Sequence, residues 1–147
     1  MSILFDDVQS GFIWHKKEFA GHDLTVDLRV TNNHDLCNDV SFLICSDGTG
    51  PHNGYAFEVD AGHDHQALRL LRNGTAVAIK SVSLENLADW TDFRIQKVGD
   101  ALLFWAEGIE EIQYCDEYPL TGKRLGFCIS GSVGEPVAFD DIAIYAD

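Results

Sequence analysis

The segment Asp23–Val30, DLTVDLRV, alternates without a break: Leu24, Val26, Leu28 and Val30 share one parity, and Asp23, Thr25, Asp27 and Arg29 the other. Successive side chains of a strand point to opposite faces, so this pattern predicts a strand with one dry side and one wet side. The same grammar recurs in GYAFEV, ALRLLR, TAVAIK, TDFRIQKV, ALLFWAE, EIQYC, RLGFCIS and AFDDIAIY, punctuated by Asp47-Gly48, Asn73-Gly74, Gly99-Asp100 and Gly131-Ser132. Asn73-Gly74 and Gly99-Asp100 stand where two-residue hairpin loops require positive φ. Strand-length alternation throughout predicts an all-β sandwich or barrel of about 10 to 13 short strands. Only SLENLADW, with Ser83 as N-cap, predicts a helical turn. At 147 residues, 46% of them hydrophobic, the chain is expected to form one domain, residues 1–147, with a full core.

Parity also nominates the core: Leu24, Val26, Leu28, Phe93, Ile95, Phe104, Phe127, Ile142 and Ile144. Two strands are apolar on both faces, with Leu102 and Phe104 alternating with Leu103 and Trp105, and Val40, Phe42 and Ile44 with Leu43 and Cys45. A strand with two dry faces needs a second covering, whether a loop, a ligand groove or another subunit.

Charge narrows the partners. Twenty-four Asp and Glu against ten Lys and Arg give a formal charge of −14, so the basic footprint that holds nucleic-acid phosphates or anionic lipid is missing. The lysine- and arginine-free stretches 31–68 and 98–122 read as solvated surface. The opening MSILFDDVQSG lacks the basic residue and long apolar run of a secretory signal, and no apolar stretch reaches the ~20 residues that cross a bilayer, so a soluble chain is expected. Cys37, Cys45, Cys115 and Cys128 show no CxxC spacing, and free, largely buried thiols are expected rather than a disulfide framework.

The C-terminal half, WTDFRIQKVGDALLFWAEGIEEIQYCDEYPLTGKRLGFCISGSVGEPVAFDDIAIYAD, runs from a Trp through a Gly turn and an apolar strand to a Pro-Leu, a Gly-Phe strand and a final FDDI strand. Together with FIWHKKEFAGHDLTVDLRV and GYAFEVD it resembles the concanavalin A-like lectin/glucanase superfamily, and within it the bacterial domains named for 3-keto-disaccharide hydrolysis. The resemblance implies a jelly roll of two antiparallel sheets whose concave face, in relatives, binds or cleaves glycans. It also implies a structural calcium, held by an Asp of the final strand, here Asp140, with N-terminal residues, here Asp6 or Asp7. From the residues alone, Asp140 shares parity with Ile142 and Ile144, and a carboxylate heading a buried row needs hydrogen bonds or a metal; capping of backbone N–H groups is the simpler reading.

Retaining glucanases of this superfamily place their acids at alternate residues of one strand, so that both reach one glycosidic bond. Glu58-Val59-Asp60 approaches that pattern, but Ala61 and Gly62 follow it and the third carboxylate is lacking, so solvated strand faces are the expectation. His63-Asp64-His65 has metal-ligand spacing yet follows a glycine, and a polar loop tip is the simpler reading. These readings together favour a non-catalytic glycan-binding domain. In it Trp105, sent to the face opposite Phe104, stacks on a sugar; Arg94 and Gln96 of the neighbouring strand supply hydrogen bonds; Trp14 is a further contact, core packing being the alternative for each Trp; and His15 is either a groove contact or an edge residue. Trp90 is expected to pack in the core. An oligosaccharide or polysaccharide is then the partner. The rival readings are a hydrolase of 3-keto-disaccharides or other glycosides, and a structural protein that forms homo-oligomers through its doubly apolar strands.

Overall fold

The computed structural model describes residues 3–5, 10–19, 23–32, 39–60, 66–83, 90–130 and 137–147. They form twelve strands: β1 (Ile3–Phe5), β2 (Ser10–Trp14), β3 (Leu24–Asn32), β4 (Asp39–Ser46), β5 (Tyr55–Asp60), β6 (Ala67–Arg72), β7 (Thr75–Ser81), β8 (Thr91–Val98), β9 (Ala101–Ala106), β10 (Ile109–Cys115), β11 (Arg124–Ser130) and β12 (Val137–Ala146). Among the described residues there is no helix; the turn expected after Ser83 lies mostly outside them. Two six-stranded antiparallel sheets result, a first in the order β1-β12-β3-β8-β9-β10 and a second in the order β2-β11-β4-β5-β6-β7. The predicted hairpins are present. Asn73 (φ 47°) and Gly74 (φ 80°) turn β6 into β7, and Gly99 (φ 59°) opens the turn from β8 to β9. Both loops use the positive φ that matches the right-handed twist of the strands they join.

Between the sheets lies the core. Leu24, Val26, Leu28, Phe93, Ile95 and Phe104 of the first sheet and Phe127 of the second are buried, as their parity requires. Aromatic rings stitch the layers together: Phe57 meets Phe104 edge-on at 5.4 Å and 89°, and Phe127 meets Phe139 at 4.7 Å. Such pairs add about 0.5–1.5 kcal/mol each beyond the area they bury.

The last strand departs from simple alternation. Phe139 pairs with Val30 and Ile144 with Val26, both inward positions, although 139 and 144 differ in parity. The frame changes at a β-bulge between Asp140 and Ala143, where Asp141 adopts φ 49°, a left-handed conformation that a short polar side chain tolerates. Phe139, 1% exposed, therefore fills the core position, while Ile142 and Ile144 are only half-buried against it. Asp140 does not head their row. It lies opposite Arg29, on the outer face of the first sheet.

Trp90 also corrects its expectation: 39% exposed, it lies against the guanidinium of Arg29, whose Cζ is 5.7 Å from the ring centroid, instead of packing in the core. Cys45, Cys115 and Cys128 are free; Cys37 lies outside the described residues. Burial pushes the Cys45 thiol up to about 11, against a smaller opposing influence from Lys97.

Candidate functional site

The residues proposed from sequence as one sugar site fall on two opposite faces of the sandwich. Trp105, Arg94 and Gln96 lie on the outer face of the first sheet. There β10, β9, β8 and β3 bring Glu110, Trp105, Arg94 and Asp27 side by side in one row, and Gln113, Leu103, Gln96 and Thr25 in the next. Arg94 donates to both oxygens of Asp27, at 2.6 and 2.9 Å, and Gln96 donates to the Thr25 hydroxyl at 3.0 Å. Arg29 pairs with Asp92 at 3.0 Å and Asp141 at 3.4 Å. A shallow cavity of about 490 Å³ opens among these groups beside the half-buried Trp105.

Trp14 belongs to the second sheet. Gly126 lies opposite it on β11, and a β-carbon at position 126 would come within 2.5 Å of the indole, so the missing side chain lets the ring lie across the strand. His15 is spent locally, since its Nδ1 accepts from the Lys17 N–H at 3.1 Å and its ring packs against Phe19 at 5.4 Å. Asp6, Asp7 and the His63-Asp64-His65 cluster lie outside the described residues. Among the described residues no group of three or more His, Cys, Asp or Glu side chains could hold a metal ion.

The outer face of the second sheet is the drier one. Ser41, Leu43 and Ala56 point away from the core, yet Ser41 is 8% and Leu43 1% exposed. Among the described residues no sheet faces them; Ser41 and Ala56 lie in a recess that Phe12, Pro51 and His52 also line. The recess is a groove of about 450 Å³ whose lining includes Phe12, Ser41, His52, Ala56, Glu58 and Cys128. Of the outward apolar residues of β4, Cys45 adopts φ 52° and packs against the core, and Leu43 lies opposite Gly126 and Ala56.

Glu58 and Asp60 are not the solvated strand face expected from sequence: their side chains are 15% and 13% exposed. Arg69, directly across from Glu58 on β6, bridges them, donating to Glu58 Oε1 at 3.2 Å and to Asp60 Oδ2. The Ser41 hydroxyl donates to the other Glu58 oxygen at 3.4 Å. The third carboxylate absent from the β5 motif is supplied by a neighbouring strand. Asp39 opens β4, which runs beside β5 with Val40 opposite Val59, and its side chain hydrogen-bonds that of Asp60. Burial, the charges of Glu58 and Asp60, and that hydrogen bond push the Asp39 carboxyl up to about 7, only partly offset by Arg69. Three acids thus crowd around one guanidinium, and that crowding favours the protonated form of Asp39. Spacing along β5 could nominate Glu58 and Asp60; Asp39 was out of reach of that reasoning because strand register decides its neighbours.

No protein-family profile and no curated protein matches the sequence. Solved structures do match over nearly the whole chain. The carbohydrate-binding module CBM66 from Bacillus subtilis superposes with a TM-score of 0.72 at 19% identity, covering 95% of this chain and 83% of that one. The carbohydrate recognition domain of Emp47p does so at 0.71 and 15%, covering 99% and 82%. The Bacillus licheniformis β-glucanase does so at 0.66 and 12%, covering 90% and 69%. Two antiparallel sheets in this order, superposing on these structures, are the concanavalin A-like jelly roll, and that is the fold of this chain.

Proposed function

We propose that the chain binds a carbohydrate in the groove on the outer face of the second sheet. The observation that carries this reading is a recessed sheet surface, dry enough to bury Ser41 and most of Glu58, with exposed Phe12 and half-buried Trp14 along one edge. Sugars present both an apolar C–H face and a ring of hydroxyls, and a groove with an aromatic edge and a few fixed acceptors on its floor matches both. Likeness to a carbohydrate-binding module and a carbohydrate recognition domain supports the same reading at the level of fold. Screening on a glycan array, followed by calorimetry with the best oligosaccharide, tests it. Phe12→Ala and Glu58→Gln should each weaken binding at least tenfold, the effect of losing about 1.4 kcal/mol. Binding unchanged in both variants refutes the groove.

A second reading, a hydrolase of glycosides, including 3-keto-disaccharides, rests on Asp39. A carboxyl whose pKa is raised to about 7 beside two further carboxyl groups is how an enzyme equips a site with a general acid. Turnover of aryl glycosides or 3-keto-disaccharides by the wild type, lost in Asp39→Asn, favours this reading; binding without turnover leaves the first.

A further inference from the structure

The first sheet's outer face carries a second cavity that the groove reading leaves unused. Its wall is Trp105, and two features keep the indole approachable. Gly108, in the tight turn between β9 and β10, has φ 77° and nothing within 4 Å of where a β-carbon would stand, so no side chain overhangs the cavity there. The neighbouring polar groups are also pinned to one another. Arg94 is fixed on Asp27 through two hydrogen bonds, and Arg29 is held between Asp92 and Asp141.

This pinning determines the class of ligand. Two guanidinium groups alternate with three carboxylates, and Glu110 and Asp140 lie on the same face, so the net charge is negative and repels a phosphate, while both guanidiniums are paired within the cavity. Each Asp27 oxygen accepts one hydrogen bond from Arg94 and retains a further lone pair, so the pair presents fixed acceptors next to fixed N–H donors. Adjacent hydroxyls of a neutral sugar can accept from a guanidinium while donating to its carboxylate partner. Trp105, beside Arg94 in register, provides the plate on which the sugar's apolar face stacks.

We propose that this face is a second site for a neutral sugar residue, on the opposite side of the sandwich from the groove, so that one molecule engages two segments of polysaccharide and cross-links them. The inference rests on the groove reading for its choice of a carbohydrate, but its own residues are distinct from those of the groove. Two binding faces on one body raise avidity for a polymer without any new contact, because the second event becomes intramolecular.

The experiment uses the intact chain with β-glucan, α-glucan, mannan and galactan, and short oligosaccharides of whichever binds. Calorimetry with the oligosaccharide should give two sites per chain. Trp105→Ala, and independently Arg94→Gln at an exposed position that leaves the indole in place, should each reduce this to one site and abolish turbidity with the polymer. Phe12→Ala should also leave one site, that of the Trp105 face. One site in the wild type, removed by Phe12→Ala and untouched by Trp105→Ala and Arg94→Gln, overturns the second site and leaves the groove reading standing. One site removed by Trp105→Ala and Arg94→Gln but not by Phe12→Ala overturns the groove reading and the cross-linking. No binding to any of the four polymers overturns both. A fall in native mass on Arg94→Gln, with no sugar quenching tryptophan fluorescence, overturns the second site in favour of a subunit contact.

Discussion

Replacing Asp116 by Ala is the sharpest test of how the second sheet is locked to the segment that leaves β10. The Asp116 side chain is 7% exposed. Its Oδ2 accepts from the Tyr55 hydroxyl and from Arg72 Nε, each at 2.6 Å, and its Oδ1 accepts from the Tyr118 N–H at 3.0 Å. Tyr55 is fully buried, and its oxygen in turn accepts from the Leu120 N–H at 2.9 Å. Residues 116–120 are thereby fastened to β5 and β6 on their way to β11. Burial would raise the Asp116 pKa, but the hydrogen bonds from Tyr55, Arg72 and the Tyr118 N–H outweigh it and hold the carboxyl below the usual carboxylate range. In the Ala variant the Tyr55 hydroxyl keeps a donor bond to receive but loses its acceptor in a dry site, which costs about 1–3 kcal/mol. Arg72 keeps its bond to the Tyr118 carbonyl and a partly exposed side chain, so it adds little. The total expected is about 2–4 kcal/mol in urea melts at pH 7, or about 5–15 °C in Tm for a chain of this size. In a Tyr55→Phe background the same change should cost less than half as much, because the stranded donor is already gone. The pH dependence has a definite sign. A carboxyl held below its unfolded value contributes stability that is complete above that value, about 3.9, and is lost as pH falls through the depressed folded value. The gap between wild type and Asp116→Ala should therefore close on acidification below pH ~4. A cost under 1 kcal/mol, or an equal cost with and without the Tyr55 hydroxyl, refutes the reasoning.

Asp39 has the opposite sign: its folded pKa of about 7 exceeds the ordinary 3.8, so the stability tied to its proton is complete below 3.8 and is lost as pH rises through 7. Asp39→Asn, always neutral, should gain on the wild type between pH 5 and pH 8 in urea melts; a difference independent of pH contradicts the placement of that proton. Phe139→Ala should cost about 3–5 kcal/mol and Ile142→Ala only about 1–2, since the bulge leaves Ile142 half-buried; equal costs would mean that the frame does not change at Asp141. In a Cys37→Ser background at pH 8, a thiol reagent should label exposed Cys115 at once and Cys45 only after unfolding, because burial holds the Cys45 thiol near 11; prompt labelling of both counts against that burial.

Strand parity gave a reliable inside and outside wherever the ladder is regular. Leu24 through Val30, Thr91 through Lys97 and Leu102 through Ala106 are alternately buried as their spacing demands, because a period of two is forced by the pleat. Parity failed at Asp140 for a local reason. One left-handed residue, Asp141, inserts an extra position, and Asp140 consequently faces Arg29 instead of sharing the Ile142 and Ile144 row. Parity does not say which of two sheets an outward residue belongs to, so the sequence groups Trp14 with Trp105 although the sandwich lies between them. Asp39 was invisible for a related reason: 21 residues separate it from Asp60 in the chain, and only the β4–β5 register makes them neighbours.

The two outer faces handle charge in opposite ways, and the contrast bears on where the chemistry lies. On the first sheet, Arg94 with Asp27 and Arg29 with Asp92 are pairs at exposed positions, the kind of contact that costs little and contributes at most about 1 kcal/mol. On the second, Asp39, Glu58 and Asp60 are crowded around Arg69 with most of their surface removed from water. A chain with 24 acidic residues has ample surface on which to separate them, and folding alone gains nothing from bringing three together in a dry recess. Leu or Thr at these outward positions would satisfy the sheet at lower cost. Such a local violation of otherwise consistent strand chemistry is expected where a ligand, not the fold, sets the requirement. The cost also fixes the direction of its relief: a neutral polyhydroxyl ligand that donates to Glu58 and displaces water from the groove floor should shift the Asp39 pKa by exchanging one hydrogen-bond partner for another, whereas a cation would release the proton outright. Ligand-linked proton uptake or release, measured by calorimetry in buffers of different ionisation enthalpy, therefore reports whether the crowded acids are part of the binding site. A value of zero at pH 7 places the sugar away from them.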